Sequence, residues 1–150
     1  MGRSGMYGQH VRHLDDKNRI ALPNVYKAAL GNTFFITKGI DKNYELRSVE
    51  NFQIYSKNLQ EFSQLNSKGR HFNRILMSKV VEVNVDKQGR ILIPKFVIDE
   101  LTIQKEVIFV GTGSIIELWS KEGFEQFENS YSDEDLAQLA DYISKVDIHE

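Results

Sequence analysis

The chain carries one passage twice. Leu14-Asp15-Asp16-Lys17-Asn18-Arg19-Ile20-Ala21-Leu22-Pro23 aligns with Val85-Asp86-Lys87-Gln88-Gly89-Arg90-Ile91-Leu92-Ile93-Pro94, an offset of 71 residues. The two prolines of the chain both fall at this one equivalent position. After one extra residue in the second copy the match resumes. Ile36, Gly39, Glu45, Leu46 and Phe52 then align with Ile108, Gly111, Glu117, Leu118 and Phe124. A spacing held across several elements is hard to obtain by chance and marks a tandem duplication inside one fold.

Each copy can be read locally. Val81, Val83 and Val85 alternate with Glu82 and Asn84, the period of a half-buried strand. Ile91 and Ile93 continue the alternation beyond Asp86-Lys87-Gln88-Gly89, which predicts a hairpin whose loop presents charged and amide side chains. Gly89, and Asn18 in the first copy, suit a turn position of positive φ. Pro23 and Pro94 stand where a helix starts, because a first-turn proline forfeits no hydrogen bond. The helices are expected to reach about Leu30, with Gly31 as C-cap, and about Leu101. Strands are expected at 34–38 with 44–47, and at 107–110 with 115–119. A helical region should span 49 to about 78, interrupted near Asn66-Ser67-Lys68-Gly69. Ser132-Asp133-Glu134-Asp135 reads as a helix start, followed by the stripe Leu136, Leu139, Ala140 and Ile143.

With 150 residues, 41% hydrophobic and 27% charged, the chain can bury a sizeable core. Its apolar runs fall far short of the roughly 20 residues that span a bilayer. No basic-then-apolar segment opens it, so nothing argues for export. Without cysteine it has no disulfide, thiolate metal site or catalytic thiol. A cytoplasmic protein is expected. The net charge of −2 hides an asymmetry. Residues 128–150 hold seven acids against the single base Lys145, whereas residues 1–127 hold 18 basic and 14 acidic residues. Such a division suits a body that meets polyanions, although a solvated helix face explains the tail equally well. The expected organisation is a duplicated domain over 1–127 and an acidic helical tail over 128–150. Within the domain the first repeat covers about 8–60, a connecting helical region about 61–79, and the second repeat about 80–127.

The two loops are the candidate binding site. A β-ribbon can enter the major groove, where an arginine at its tip, Arg19 or Arg90, can bond bidentately to guanine. Lys17 and Lys87 would neutralise phosphate, and the amides of Asn18 and Gln88 could read base edges. Asp15 and Asp86 are expected to close the turn by accepting backbone N–H groups, or to hold the arginine. A plain salt bridge in a tight turn would explain either loop alone, but finding Asp and Arg in both favours a shared function. A second basic stretch comprises Lys68, Arg70, His71, Arg74 and Lys79, with Arg70 and Arg74 on one helix face. A phosphate stripe, a solvated face and a pairing surface for another subunit's acids all fit it.

Other motifs carry less. Asn84-x-Asp86-x-Gln88-Gly89 imitates the start of a calcium loop, but its twelfth position is Lys95 and its flanks read as strands. His10 and His13 fall on opposite faces of a strand, a poor metal site. Gly111-Thr112-Gly113 lacks the spacing and lysine of a phosphate-binding loop and reads as a hairpin turn. No catalytic triad or acid pair stands in a recognisable setting, so no enzymatic activity, cofactor, metal or small-molecule substrate is expected.

The duplicated Asp-x-x-x-Arg followed by alternating apolar residues and proline resembles the MraZ family, bacterial regulators of the cell-division and cell-wall gene cluster. The resemblance runs from about Met6 to Phe127 and includes the late segment from Val110-Gly111 to Ile116-Glu117-Leu118-Trp119. It implies an α+β fold, a tandem-duplicated, AbrB-like, double-ψ-like swapped-hairpin β-barrel with flanking helices. It also implies a ring-like homo-oligomer and binding of double-stranded DNA at short direct repeats in the promoter of the protein's own operon. Carried over by motif position, Arg19 and Arg90 would be the DNA-contacting arginines. The sequence departs from the family at Asn18, where a glycine is usual, and at Lys27 and Ile98, which replace the arginine four residues after each proline. Met1 to Gly5 read as additional to the family pattern. A protein of this kind would work at the nucleoid, away from membranes. The alternative is an AbrB-like antitoxin that binds DNA and a partner toxin.

Overall fold

A computed structural model describes residues 6–146; Met1 to Gly5 and the last four residues of the acidic tail lie outside the described residues. The elements run β1 (Tyr7–His13), β2 (Arg19–Ala21), α1 (Asn24–Leu30), β3 (Thr33–Lys38), β4 (Tyr44–Ser48), α2 (Val49–Ser63) and α3 (Ser67–Met77). They continue as β5 (Val81–Asn84), β6 (Arg90–Leu92), α4 (Lys95–Leu101), β7 (Glu106–Thr112), β8 (Ile116–Ser120), α5 (Lys121–Asn129) and α6 (Asp133–Lys145). The fold is α+β, and the second seven elements repeat the first seven in order. The helical pair α5–α6 thus holds the same place in its repeat as α2–α3 in the first. Ser48 and Ser120, 72 positions apart, cap α2 and α5 by accepting the backbone N–H groups of Asn51 and Gly123.

Six strands form one antiparallel sheet in the order β1-β7-β8-β4-β3-β5, and β2 pairs with β6 in a separate ribbon. The expected local hairpins are therefore corrected. β1 pairs with β7 and β5 with β3, while the strand after each loop pairs with its counterpart from the other repeat. Inside the first loop the Asn18 N–H donates to the Asp15 carbonyl at 3.1 Å, and the bond that closes it runs from the Asp15 N–H to the Arg19 carbonyl at 2.9 Å; Asp86, Gly89 and Arg90 repeat both bonds in the second. Beyond it the strands part, because Ile20 and Ile91 turn inward and are only 1% exposed. The swap is thus present, but the sheet stays open with β1 and β5 as edges, so the implied barrel is not closed. The three-residue β2 and β6 satisfy each other and leave the ladder from β1 to β5 incomplete.

Two strand pairs carry the symmetry of the duplication. Ile20 stands opposite Ile91 in the ribbon, and Glu45 opposite Glu117 at the β4–β8 junction. Each is a residue facing its own repeat counterpart, so a pseudo-twofold axis passes through both pairs. At the ribbon the paired residues are isoleucines of a core that also takes in Tyr26, Phe34, Tyr44 and Phe109. At the sheet they are acids. Glu45 is held by the Arg47 guanidinium at 2.7 Å, and Glu117 accepts the indole N–H of Trp119 at 2.8 Å. Burial, the largest influence, still pushes the Glu45 carboxyl above its usual range.

The local signals hold where the chemistry is local. Pro23 and Pro94 flank the starts of α1 and α4. Gly31 ends α1 at φ +79°, and Thr102 ends α4 in the left-handed conformation. The break between α2 and α3 is Asn66, whose side chain accepts the Gly69 N–H. Ser132 and Asp135 form a reciprocal capping box at α6. Helix α6 buries none of its residues: Leu136, Leu139, Tyr142 and Ile143 all face outward.

Candidate nucleic-acid interface

The same construction appears in both loops. Asp15 Oδ1 accepts the backbone N–H groups of Lys17 (2.8 Å) and Arg19 (2.9 Å), and its Oδ2 accepts Arg19 Nε at 3.1 Å. Asp86 Oδ1 accepts those of Gln88 (2.9 Å) and Arg90 (2.8 Å), and its Oδ2 accepts Arg90 Nε at 3.2 Å. Each aspartate therefore does both jobs open to it: it closes the turn and orients the arginine. The backbone N–H of Arg19 is the main reason the Asp15 carboxyl lies below its ordinary range, and that of Arg90 does the same for Asp86. Both carboxylates are ionised at neutral pH. Asn18 at φ +62° and Gly89 at φ +79° supply the left-handed residue of the turn. Asparagine substitutes for glycine there because its short polar side chain tolerates that region.

The ribbon brings the loops together. The Leu22 N–H donates to the Gly89 carbonyl (2.9 Å) and the Ile93 N–H to the Asn18 carbonyl (2.8 Å), so each loop's backbone is tied to the other repeat. Arg90 Nη1 also lies 3.6 Å from Asp15 Oδ2. Arg19, Asp15, Arg90 and Asp86 thus form one chain of alternating charge at one surface. The two arginines are not at the loop tips as expected. They stand at the bases, with side chains about a third exposed, because each is drawn back onto its aspartate. The exposed tips are Asp16 with Lys17, and Lys87 with Gln88. With their side chains partly exposed, the guanidinium groups can be approached from solvent.

In the second basic stretch, Lys68, Arg70, His71 and Arg74 are exposed along α3, but Lys79 leaves it to bond Glu100 at 2.9 Å. His10 packs edge-on against Tyr26, and His13 lies 3.1 Å from Glu106. Among the described residues no group of three or more potential metal ligands gathers. Gly113, at φ +106°, belongs to the turn between β7 and β8, as the sequence predicts. The tie from Arg90 to Asp15 and the cross-repeat backbone bonds were not foreseen. They depend on the register of Ile20 against Ile91, which no local pattern encodes.

A chain that folds two copies of one unit around a shared axis, with a matched pair of Asp–Arg loops on one surface, is a tandem-duplicated AbrB-like protein. Comparison with known proteins narrows this class. A family model described as "MraZ protein, putative antitoxin-like" matches twice, over residues 6–75 and 76–144. The chain is 37% identical over 135 residues to the "Transcriptional regulator MraZ" of Mycoplasmopsis pulmonis, covering 90% of this chain and 92% of that one. It is 38% identical over 130 residues to the protein of the same name from Mycoplasma mobile, covering 87% and 89%. For that of Thermoanaerobacter pseudethanolicus the identity is 32% over 143 residues, covering 95% and 99%. The chain belongs to the MraZ family.

Proposed function

We propose that the chain is a non-enzymatic, sequence-specific transcriptional regulator that grips double-stranded DNA with loops 15–19 and 86–90. The observation that carries this reading is the shared patch, in which two identically built loops present Arg19 and Arg90 about a pseudo-twofold axis. Its relatives are named transcriptional regulators. Arg19 and Arg90 would read guanine, Lys17 and Lys87 would meet phosphate, and Asn18 and Gln88 would contact base edges. Asp15 and Asp86 hold the loops in shape. Its site of action is the nucleoid of the cytoplasm, and among the described residues no helix is long and apolar enough to cross a membrane. A mobility shift with the DNA upstream of its own gene tests this reading. Retention that weakens steeply with salt is expected, because counterions are released on binding. No retention at low salt would overturn the reading.

The targets we propose are short direct repeats in the promoter of its own operon, within the cell-division and cell-wall gene cluster. Direct repeats follow if the chains associate head to tail into a ring, since neighbours then present their loops in one orientation. The two helical pairs support such an association. On α2–α3, four basic residues stand against two acids, and Phe62, Leu65, Phe72 and Ile75 are exposed. On α5–α6, seven acids stand against two bases, and Phe127, Tyr131, Leu136 and Leu139 are exposed. Opposite charge around two apolar faces suits a heterologous contact between copies. The family's antitoxin-like description favours a second reading, in which the bare face of α6 receives a small partner protein. Co-purification of such a partner in place of the self-assembled ring would favour that reading.

A further inference from the structure

The loops are not surrounded alike, and one residue outside them makes the difference. Lys27, on α1 of the first repeat, extends across the axis to the loop of the second. A Cβ placed on Gly89 would lie 2.5 Å from the Lys27 Nζ and 3.3 Å from its Cε, so the ammonium rests against the backbone at the turn of loop 86–90. It makes no ion pair or side-chain hydrogen bond among the described residues. Lys38, Lys79, Lys95, Lys121 and Lys145 each lie against a carboxylate. The repeat counterpart of Lys27 is Ile98, which packs partly buried against the core. Loop 15–19 therefore has no equivalent cation beside Asn18.

From this geometry we infer that Lys27 is a phosphate-binding residue of the nucleic-acid interface, and that it serves the second loop alone. The inference rests on the DNA-binding reading above and deepens it. An ammonium without a carboxylate partner, set beside the glycine that precedes Arg90 in the loop, is available to an incoming phosphate oxygen. Gly89 has no side chain, and that absence makes room for the Lys27 ammonium against the turn. Lys27 contributes no base recognition, so its contribution is the same on any sequence. Each chain consequently has a polarity on the duplex, with the second loop gripping the backbone more firmly than the first.

The test is the salt dependence of DNA affinity for wild type, Lys27→Met, Lys27→Gln and Lys27→Arg, with thermal melting as the check on folding. Removing the charge should lower the slope of log affinity against log salt by about 1 per engaged chain. The loss of affinity should be equal on operator and unrelated DNA, and Lys27→Arg should keep the wild-type slope. Combined with Arg90→Ala, Lys27→Met should be less than additive, and with Arg19→Ala additive. A wild-type slope in either folded, charge-removed variant overturns the inference. Wild-type protein that binds no DNA overturns the proposed function instead, a distinguishable result.

Discussion

Loops 15–19 and 86–90 share a backbone and its Asp–Arg pair, and differ in what stands between and around that pair. In the first, Asp16 and Lys17 occupy the tip, Asn18 takes the left-handed position, and Arg19 is held through Nε alone. In the second, Lys87 and Gln88 occupy the tip, Gly89 makes the turn, and Arg90 is engaged three times. Its Nε meets Asp86, its Nη2 meets Gln88 Oε1 at 3.2 Å, and its Nη1 approaches Asp15. One guanidinium thus keeps its outer edge free, and the other is braced. Duplication has preserved the part that shapes the turn, the aspartate accepting two backbone N–H groups, and has let the electrostatics diverge. The lesson is that a loop's scaffold and its reading face can vary independently when the scaffold is self-contained.

The largest effect should come from removing what the loops share. Arg19→Ala combined with Arg90→Ala forfeits two guanine contacts of about 1–3 kcal/mol each per chain. Specific binding in a quantitative mobility shift should fall by about thirtyfold to about ten-thousandfold or more per engaged chain, with the circular dichroism spectrum intact. Specific affinity that survives both changes would remove the loops from the interface. Next come Ile20→Ala and Ile91→Ala, which cut into the common foundation at the axis. Each should cost about 2–5 kcal/mol in chemical denaturation, and the two costs should match. A large inequality would mean that the pseudo-twofold does not extend to the packing beneath the loops.

The single arginine variants separate the loops. Because Arg19 has the freer outer edge, Arg19→Ala should relax the sequence preference more than Arg90→Ala, as read by selection from a random DNA pool. Arg90→Ala should lower the melting temperature more, since it breaks the tie to Asp15. The reverse ranking would show that bracing, and not freedom, prepares an arginine for guanine. The smallest effect concerns pH. Asp15 and Asp86 have folded pKa values below the ordinary 3.8, so their stabilisation is present above that value and lost as pH falls through the lowered one. Melting curves should therefore show no pH-dependent change from either loop between about pH 5 and 8, where that stabilisation is fully present, and a common loss below about pH 4. Asp15→Asn and Asp86→Asn should each diminish that acid limb.

Much of this was legible in the residues themselves. The duplication, the prolines before α1 and α4, the break at Asn66, the cap at Ser132 and the closure of each turn by its aspartate all depend on neighbours within a few positions. The partners of the strands did not. The alternation from Val81 through Ile93 predicts a hairpin equally well whether β6 pairs with β5 or with β2, and only the burial of Ile20 against Ile91 decides it. The same non-local register hides the tie from Arg90 to Asp15 and the reach of Lys27 to Gly89. Lys79 shows the converse: it belongs to a basic stretch in sequence, yet its charge is spent on Glu100.

Guanine protection on operator DNA, compared among wild type, Arg19→Ala and Arg90→Ala, tests the joint action of the two loops most directly. Wild type should protect guanines in pairs, and the pairs should recur in one orientation about 10 base pairs apart, one turn of the duplex. Arg19→Ala should erase one member of every pair and Arg90→Ala the other, leaving the remaining protections in register. A footprint that either variant leaves whole, or a single inverted repeat in the wild type, would contradict a duplicated chain that reads DNA with both of its loops.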